Sequence, residues 1–118
     1  CKLNMLNNFE LKANDVIKLI SNKTKLVSLT NPHNPTGKVF KVNELEKINI
    51  YCEKKNIPVL IDETYFHIPL NNYKHHILKD RKNIIRVSSL SKAYGVPGIR
   101  IGWIYCSKKS KSAYKQKL

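Results

Sequence analysis

Val42-Asn43-Glu44-Leu45-Glu46-Lys47-Ile48-Asn49-Ile50-Tyr51-Cys52-Glu53-Lys54-Lys55, then Asn56-Ile57-Pro58, then Val59-Leu60-Ile61-Asp62-Glu63, is the run that decides the fold. Leu45, Ile48, Tyr51 and Cys52 recur at helical spacing and share one face. Asn43 is the expected cap, with Glu46 three residues on in the capping-box position. Asn56 ends the helix, and Pro58 blocks its continuation. Val59 to Ile61 reads as a short buried strand that stops at Asp62-Glu63.

Upstream, Leu26, Val27 and Leu29 mark a strand over Lys25 to Thr30, halted by Asn31-Pro32. Strand, helix and strand with short links form a βαβ unit, hence a right-handed parallel crossover. A shorter helix over Val16, Ile17, Leu19 and Ile20 is expected to start at a cap on Asn14 or Asp15. Downstream, Asn83 to Ser88 and Ile101 to Cys106 read as two more strands. Their link, Ser89 to Arg100, is too broken by Gly and Pro for a crossover helix, so the last strand is predicted to run antiparallel. Thr64 to Asp80 reads as loop with at most one helical turn. Lys108 to Leu118 starts a basic helix with Ser107 as its cap. The fold class is α/β: a mostly parallel sheet with helices and an antiparallel last strand.

A chain of 118 residues holds one domain at most, and its 42% hydrophobic content suffices for a core. It begins with Cys1, shows no signal peptide and has no apolar run long enough to span a membrane. The expectation is a piece of a larger soluble protein of the cytoplasm. The net charge of +14 raises the question of an anionic partner. Lysine supplies nearly all of that charge, arginine only Arg81, Arg86 and Arg100, and apart from Lys108-Lys109-Ser110-Lys111 the lysines are scattered. That pattern favours a solvated lysine-rich surface, with neither nucleic acid nor membrane as partner. Cys1, Cys52 and Cys106 form no Cys-x-x-Cys pair, so reduced thiols are expected rather than disulfides or zinc. His75-His76 lacks a third ligand nearby and reads as a loop pair, so no metal site is expected.

Chemistry gathers at three strand ends. In an open α/β sheet, ligands collect beyond the carboxyl ends of parallel strands. After the first strand, Asn31-Pro32-His33-Asn34-Pro35-Thr36-Gly37 is a dense turn that presents Asn34 and Thr36 rigidly. After the second comes Asp62. After the third comes Ser88-Ser89-Leu90-Ser91-Lys92-Ala93-Tyr94-Gly95-Val96-Pro97-Gly98-Ile99-Arg100-Ile101-Gly102. A lysine on such a loop, held out of bulk water, becomes a usable amine nucleophile. The serine hydroxyls, backbone N–H groups and Arg100 suit a phosphate. An amine beside a phosphate cradle suggests pyridoxal phosphate held as a Schiff base; a basic surface loop is the plain alternative. Asp62 suits a protonated pyridine nitrogen, which keeps the ring an electron sink, while Asp62-Glu63 equally suits a turn cap or a metal such as Mg²⁺. Tyr65 and Asn34 could donate to a ring phenolate oxygen.

Asn34-Pro35-Thr36-Gly37, Asp62-Glu63-Thr64-Tyr65, Ser89-Leu90-Ser91-Lys92 and Gly98-Ile99-Arg100-Ile101-Gly102 resemble, in order and spacing, the motif series of fold-type-I, class I/II aminotransferases. The resemblance runs roughly from Leu26 to Cys106. It implies that Lys92 forms the Schiff base and shuttles the substrate proton, and that Asp62 pairs with the pyridinium. It implies that Tyr65 and Asn34 bond the ring O3′ oxygen, and that Ser89, Ser91 and Arg100 hold the phosphate. It makes Asn34–Pro35 a candidate cis bond, and it also has the strand after the arginine antiparallel. The substrates implied are an amino acid and a 2-oxo acid, and the full-length protein is implied to be a homodimer with shared sites.

The family's upstream glycine- or serine-rich phosphate loop, its stacking aromatic ring and its downstream carboxylate-binding arginine have no counterparts: no glycine precedes Gly37, and no arginine follows Arg100. Residues 1–118 therefore read as the middle of the cofactor-binding large domain, a fragment expected neither to fold well nor to transaminate alone. The alternatives are a lyase or decarboxylase on the same scaffold, an aminotransferase-like sensor domain of a transcription regulator, and a non-catalytic remnant.

Overall fold

Helix and strand alternate from Ala13 to Asp62 because apolar residues recur there at helical spacing and then in short β-branched runs. The computed structural model describes residues 10–68 and 81–107. In chain order these form α1 (Ala13–Leu19), β1 (Val27–Thr30), α2 (Val42–Lys54), β2 (Val59–Asp62), β3 (Ile84–Ser89), a 3-10 turn (Pro97–Ile99) and β4 (Gly102–Cys106). The four strands lie in sequence order in one sheet. β1, β2 and β3 are parallel, and β4 runs antiparallel to β3 as expected. Leu29, Ile61, Arg86 and Tyr105 are level across the sheet, and so are Thr30, Asp62, Val87 and Ile104.

Both helices pack on one face of the sheet. Val27, Leu29, Val59, Ile61 and Ile84 meet Ala13 and Val16 of α1 and Leu45, Ile48 and Cys52 of α2 in a single core. Alternation along the strands leaves Thr30, Leu60, Asp62, Ile85 and Val87 on the other face, where no described helix packs. β4 is the outer strand, and its Trp103, Ile104 and Tyr105 are exposed rather than covered.

The helix starts differ from expectation. α1 has Lys12 at its N-cap with no side-chain bond there, because Asn14 and Asp15 already lie inside the helix. The orphan donor is satisfied from α2: Ala13 N–H donates to Glu44 Oε2 at 2.6 Å, while Lys47 Nζ donates to Glu44 Oε1 at 2.8 Å. α2 starts two residues earlier than an Asn43 cap allows, with Lys41 at its N-cap and no side-chain cap bond. Its inner face is rotated as well. Asn49 is fully buried, whereas Tyr51 is only half-buried. Asn56 closes the helix in the left-handed region, at φ +54°.

Cys52 and Cys106 are free thiols, and burial pushes the Cys52 thiol above its ordinary value. Cys1, the His75-His76 pair and the expected basic helix over Lys108 to Leu118 lie outside the described residues. Among the described residues no helix is long and apolar enough to cross a membrane.

Candidate functional site

β1 and β2 finish level, at Thr30 and Asp62, and β3 runs two residues past Val87, their partner in register, to Ser89. The ladder even continues past them, with Asn31 N–H donating to Asp62 O at 2.9 Å and Glu63 N–H to Val87 O at 2.8 Å. The loops that carry Asn34, Tyr65 and Lys92 therefore leave from one sheet edge.

The first loop is held by its own bonds. Phe40 N–H donates to Asn31 Oδ1 at 2.9 Å, and Gly37 N–H to His33 O at 2.7 Å. Gly37 sits at φ +67°, which a side chain would disfavour. Asn34–Pro35 is cis, as the resemblance implied, and so is Asn31–Pro32. At the tip, Asn34 Nδ2 donates to Tyr65 Oη at 3.2 Å. Sequence reasoning paired these two through a shared ligand atom, and the structure joins them directly. Both line a cavity of about 140 Å³ with Pro32, His33 and Ile68.

Asp62 is half-buried rather than sealed, on the face away from the helices. Its Oδ1 accepts from Thr64 N–H at 2.9 Å and Thr64 Oγ1–H at 2.6 Å, so that oxygen caps the turn after β2. Glu63 is engaged elsewhere. Arg86 Nε donates to Glu63 Oε1 at 2.8 Å and Arg86 Nη2 to Oε2 at 2.6 Å. That fork removes Glu63 from the metal alternative, and the described residues hold no cluster of three metal ligands.

Ser89, the last residue of β3, and Ser91 just beyond it are half-buried, and Lys92 is exposed in the turn that follows. Its loop projects past the sheet edge, so the desolvated lysine expected from sequence needs cover that the described residues do not provide. Two contacts fix the loop. Leu90 N–H donates to Ile101 O at 3.1 Å, closing it at its base. The Tyr94 ring lies 5.8 Å, centroid to centroid, from that of His67, joining the Lys92 loop to the Tyr65 loop. Gly102 lets β4 close up, since a Cβ there would meet Ser88 O at 3.0 Å. Arg100 is exposed in the left-handed region at φ +58°, and its guanidinium donates within its own turn to Pro97 O at 3.4 Å. The fork and the His67–Tyr94 contact were missed from sequence. Finding the fork requires the β2–β3 register, which places Arg86 level with Ile61, two residues before Glu63.

As a donor set these residues fit pyridoxal phosphate. An amide and a phenol that meet each other could both donate to a phenolate oxygen. A carboxylate is oriented through one oxygen, and hydroxyls and a primary amine lie on the adjoining loop.

A family profile described as aminotransferase class I and II matches residues 1–117. The chain is 37% identical over 113 residues to the histidinol-phosphate aminotransferase of Pelagibacter ubique, covering 90% of this chain and 30% of that protein. It is 38% identical over 99 residues to the aspartate aminotransferase of Sulfolobus acidocaldarius, covering 81% of this chain and 25% of that protein. A PLP-bound crystal structure from Clostridium difficile superposes with a TM-score of 0.79 at 27% identity, over 98% of this chain and 32% of that one. The chain thus spans under a third of the length of each of these relatives.

Proposed function

Because this chain belongs to the class I and II aminotransferases, we propose that it forms the cofactor-holding core of a pyridoxal-phosphate-dependent transaminase acting on an amino acid and a 2-oxo acid. The observation that carries the proposal is the meeting of Asn34 Nδ2 and Tyr65 Oη at 3.2 Å, beside the strand end that bears Asp62. Bound pyridoxal phosphate supplies an aldehyde for an amine to condense with and a protonated ring that draws electrons from the substrate Cα.

The residues divide the remaining work. Lys92 would provide the amine that holds the cofactor and a base for the substrate Cα proton. Asp62, steadied by Thr64, keeps the ring nitrogen protonated. Asn34 and Tyr65 would donate to the ring oxygen. Ser89, Ser91 and Arg100 bind the phosphate. The complete protein works as a homodimer, in which further segments cover Lys92 and the exposed side chains of β4.

The test is made in the protein that carries this chain. Lys92→Ala is expected to abolish both the visible absorbance of the lysine-bound cofactor and turnover; retained absorbance overturns the assignment. Asp62→Asn is expected to keep the cofactor but slow proton abstraction by roughly 100-fold or more. An unchanged rate would remove Asp62 from its role.

A further inference from the structure

Glu63 makes more bonds to β3 than a residue just past a strand end requires. Its N–H donates to Val87 O at 2.8 Å, its carbonyl accepts from Ser88 Oγ–H at 3.0 Å, and both carboxylate oxygens are taken by Arg86. One residue is thereby tied to three consecutive residues of the neighbouring strand. The two charged side chains are only 14% and 15% exposed. The Arg86 guanidinium also lies 5.5 Å from the centre of the Tyr105 ring, on the residue paired with it in β4.

A buried ion pair adds little net stability, because desolvation offsets most of the attraction. What a two-pronged guanidinium–carboxylate contact does provide is a defined distance and angle. Its position shows what that geometry governs. Asp62 precedes Glu63 directly, and Ser89, Ser91 and Lys92 begin three residues after Arg86. From the fork and its place in the register we infer that Glu63 and Arg86 are a positioning pair, which holds the Asp62 carboxylate and the Lys92 loop at the separation one cofactor ring requires. The inference rests on the cofactor assignment above. Neither residue touches the cofactor; both act through the strand ends they join.

The experiment compares Glu63→Gln, Arg86→Gln and the double variant in the cofactor-loaded protein that carries this chain. The readouts are the melting temperature without cofactor, the cofactor Kd, and the pH midpoint of the visible absorbance. Each single variant leaves one buried charge unpaired and is expected to melt lower, whereas the double variant regains most of that loss. The double variant is still expected to show a midpoint displaced by roughly half a pH unit or more. Its Kd is expected to be about tenfold weaker. If the double variant does not fold, Glu63→Asp decides: it keeps the charge but draws the carboxylate back by one methylene, and the same displacement is expected. A native midpoint and Kd in the deciding variant overturn the inference. If the absorbance also survives in Lys92→Ala, the cofactor assignment falls too. If it depends on Lys92, only the positioning role falls.

Discussion

Two isoleucines of α2, two residues apart, answer the same substitution in opposite ways. Ile48 is fully buried between the sheet and α1, while Ile50 is 42% exposed on the opposite side of the helix. Truncating Ile48 to alanine removes buried methyl and methylene groups and leaves a cavity, at a cost of roughly 2–5 kcal/mol. Alanine's better helix propensity returns only about 0.4 kcal/mol of that. At Ile50 the same propensity gain meets almost no packing loss, so the net change stays within about 0.5 kcal/mol and tends to stabilise. Ile48→Ala lowers the urea unfolding midpoint, while Ile50→Ala leaves it in place. The assay is urea unfolding of the protein that carries this chain, followed by far-ultraviolet ellipticity. Equal losses at both positions, or a loss at Ile48 below about 1 kcal/mol, would refute the packing of α2 described above.

Two further substitutions test the joints of the fold. The hydrogen bond from Lys47 and the one from Ala13 N–H hold the Glu44 carboxyl below its ordinary value near 4.5. A group whose folded pKa is depressed stabilises above its unfolded pKa and loses that contribution as pH falls through the folded value. Glu44→Gln is therefore expected to cost about 1 kcal/mol near neutral pH, the usual worth of a helix cap, and progressively less below pH 4.5. Melting curves from pH 3 to pH 7 check this, and a gap that does not change with pH would contradict it. At Gly102 a Cβ would press on Ser88 O, a backbone atom inside the ladder that cannot step aside. Gly102→Val is expected to lower stability by roughly 1–3 kcal/mol and to weaken cofactor binding through Ser89; a native melting temperature and Kd would contradict the close approach.

The topology was legible because each signal was local. Asn56 ended α2 and Pro58 blocked its continuation, Val59–Ile61 was a short apolar run, and the glycines and proline between Ser89 and Arg100 ruled out a crossover helix. The helix starts were not legible, because the group that caps α1 is Glu44, 31 residues further along the chain. Propensity favoured Asn14, Asp15 and Asn43, and tertiary contact overrode it. The inner face of α2 was misjudged for a related reason. Asn49 carries a polar label but an inward position, and Asn83 Nδ2 reaches its backbone carbonyl at 3.3 Å. The polar residues that follow the strand ends were legible from the sequence, but the bonds that link them were not. Glu63 looked like a candidate metal ligand until the structure showed Arg86, level with Ile61 on β3, forking both of its carboxylate oxygens. The exposure of Lys92 and Arg100 depends on what surrounds the sheet edge, which no local pattern encodes.

The central claim is that the amine on the loop after β3 holds the cofactor over the ends of β1 and β2. Borohydride reduction of the cofactor-loaded protein, followed by digestion and peptide mass analysis, tests this directly. The expected result is a pyridoxyl group on Lys92 in wild type and no labelled peptide in Lys92→Ala. A pyridoxyl group on any other lysine of this basic chain, or an unlabelled Lys92 in protein that retains its visible absorbance, would contradict the claim.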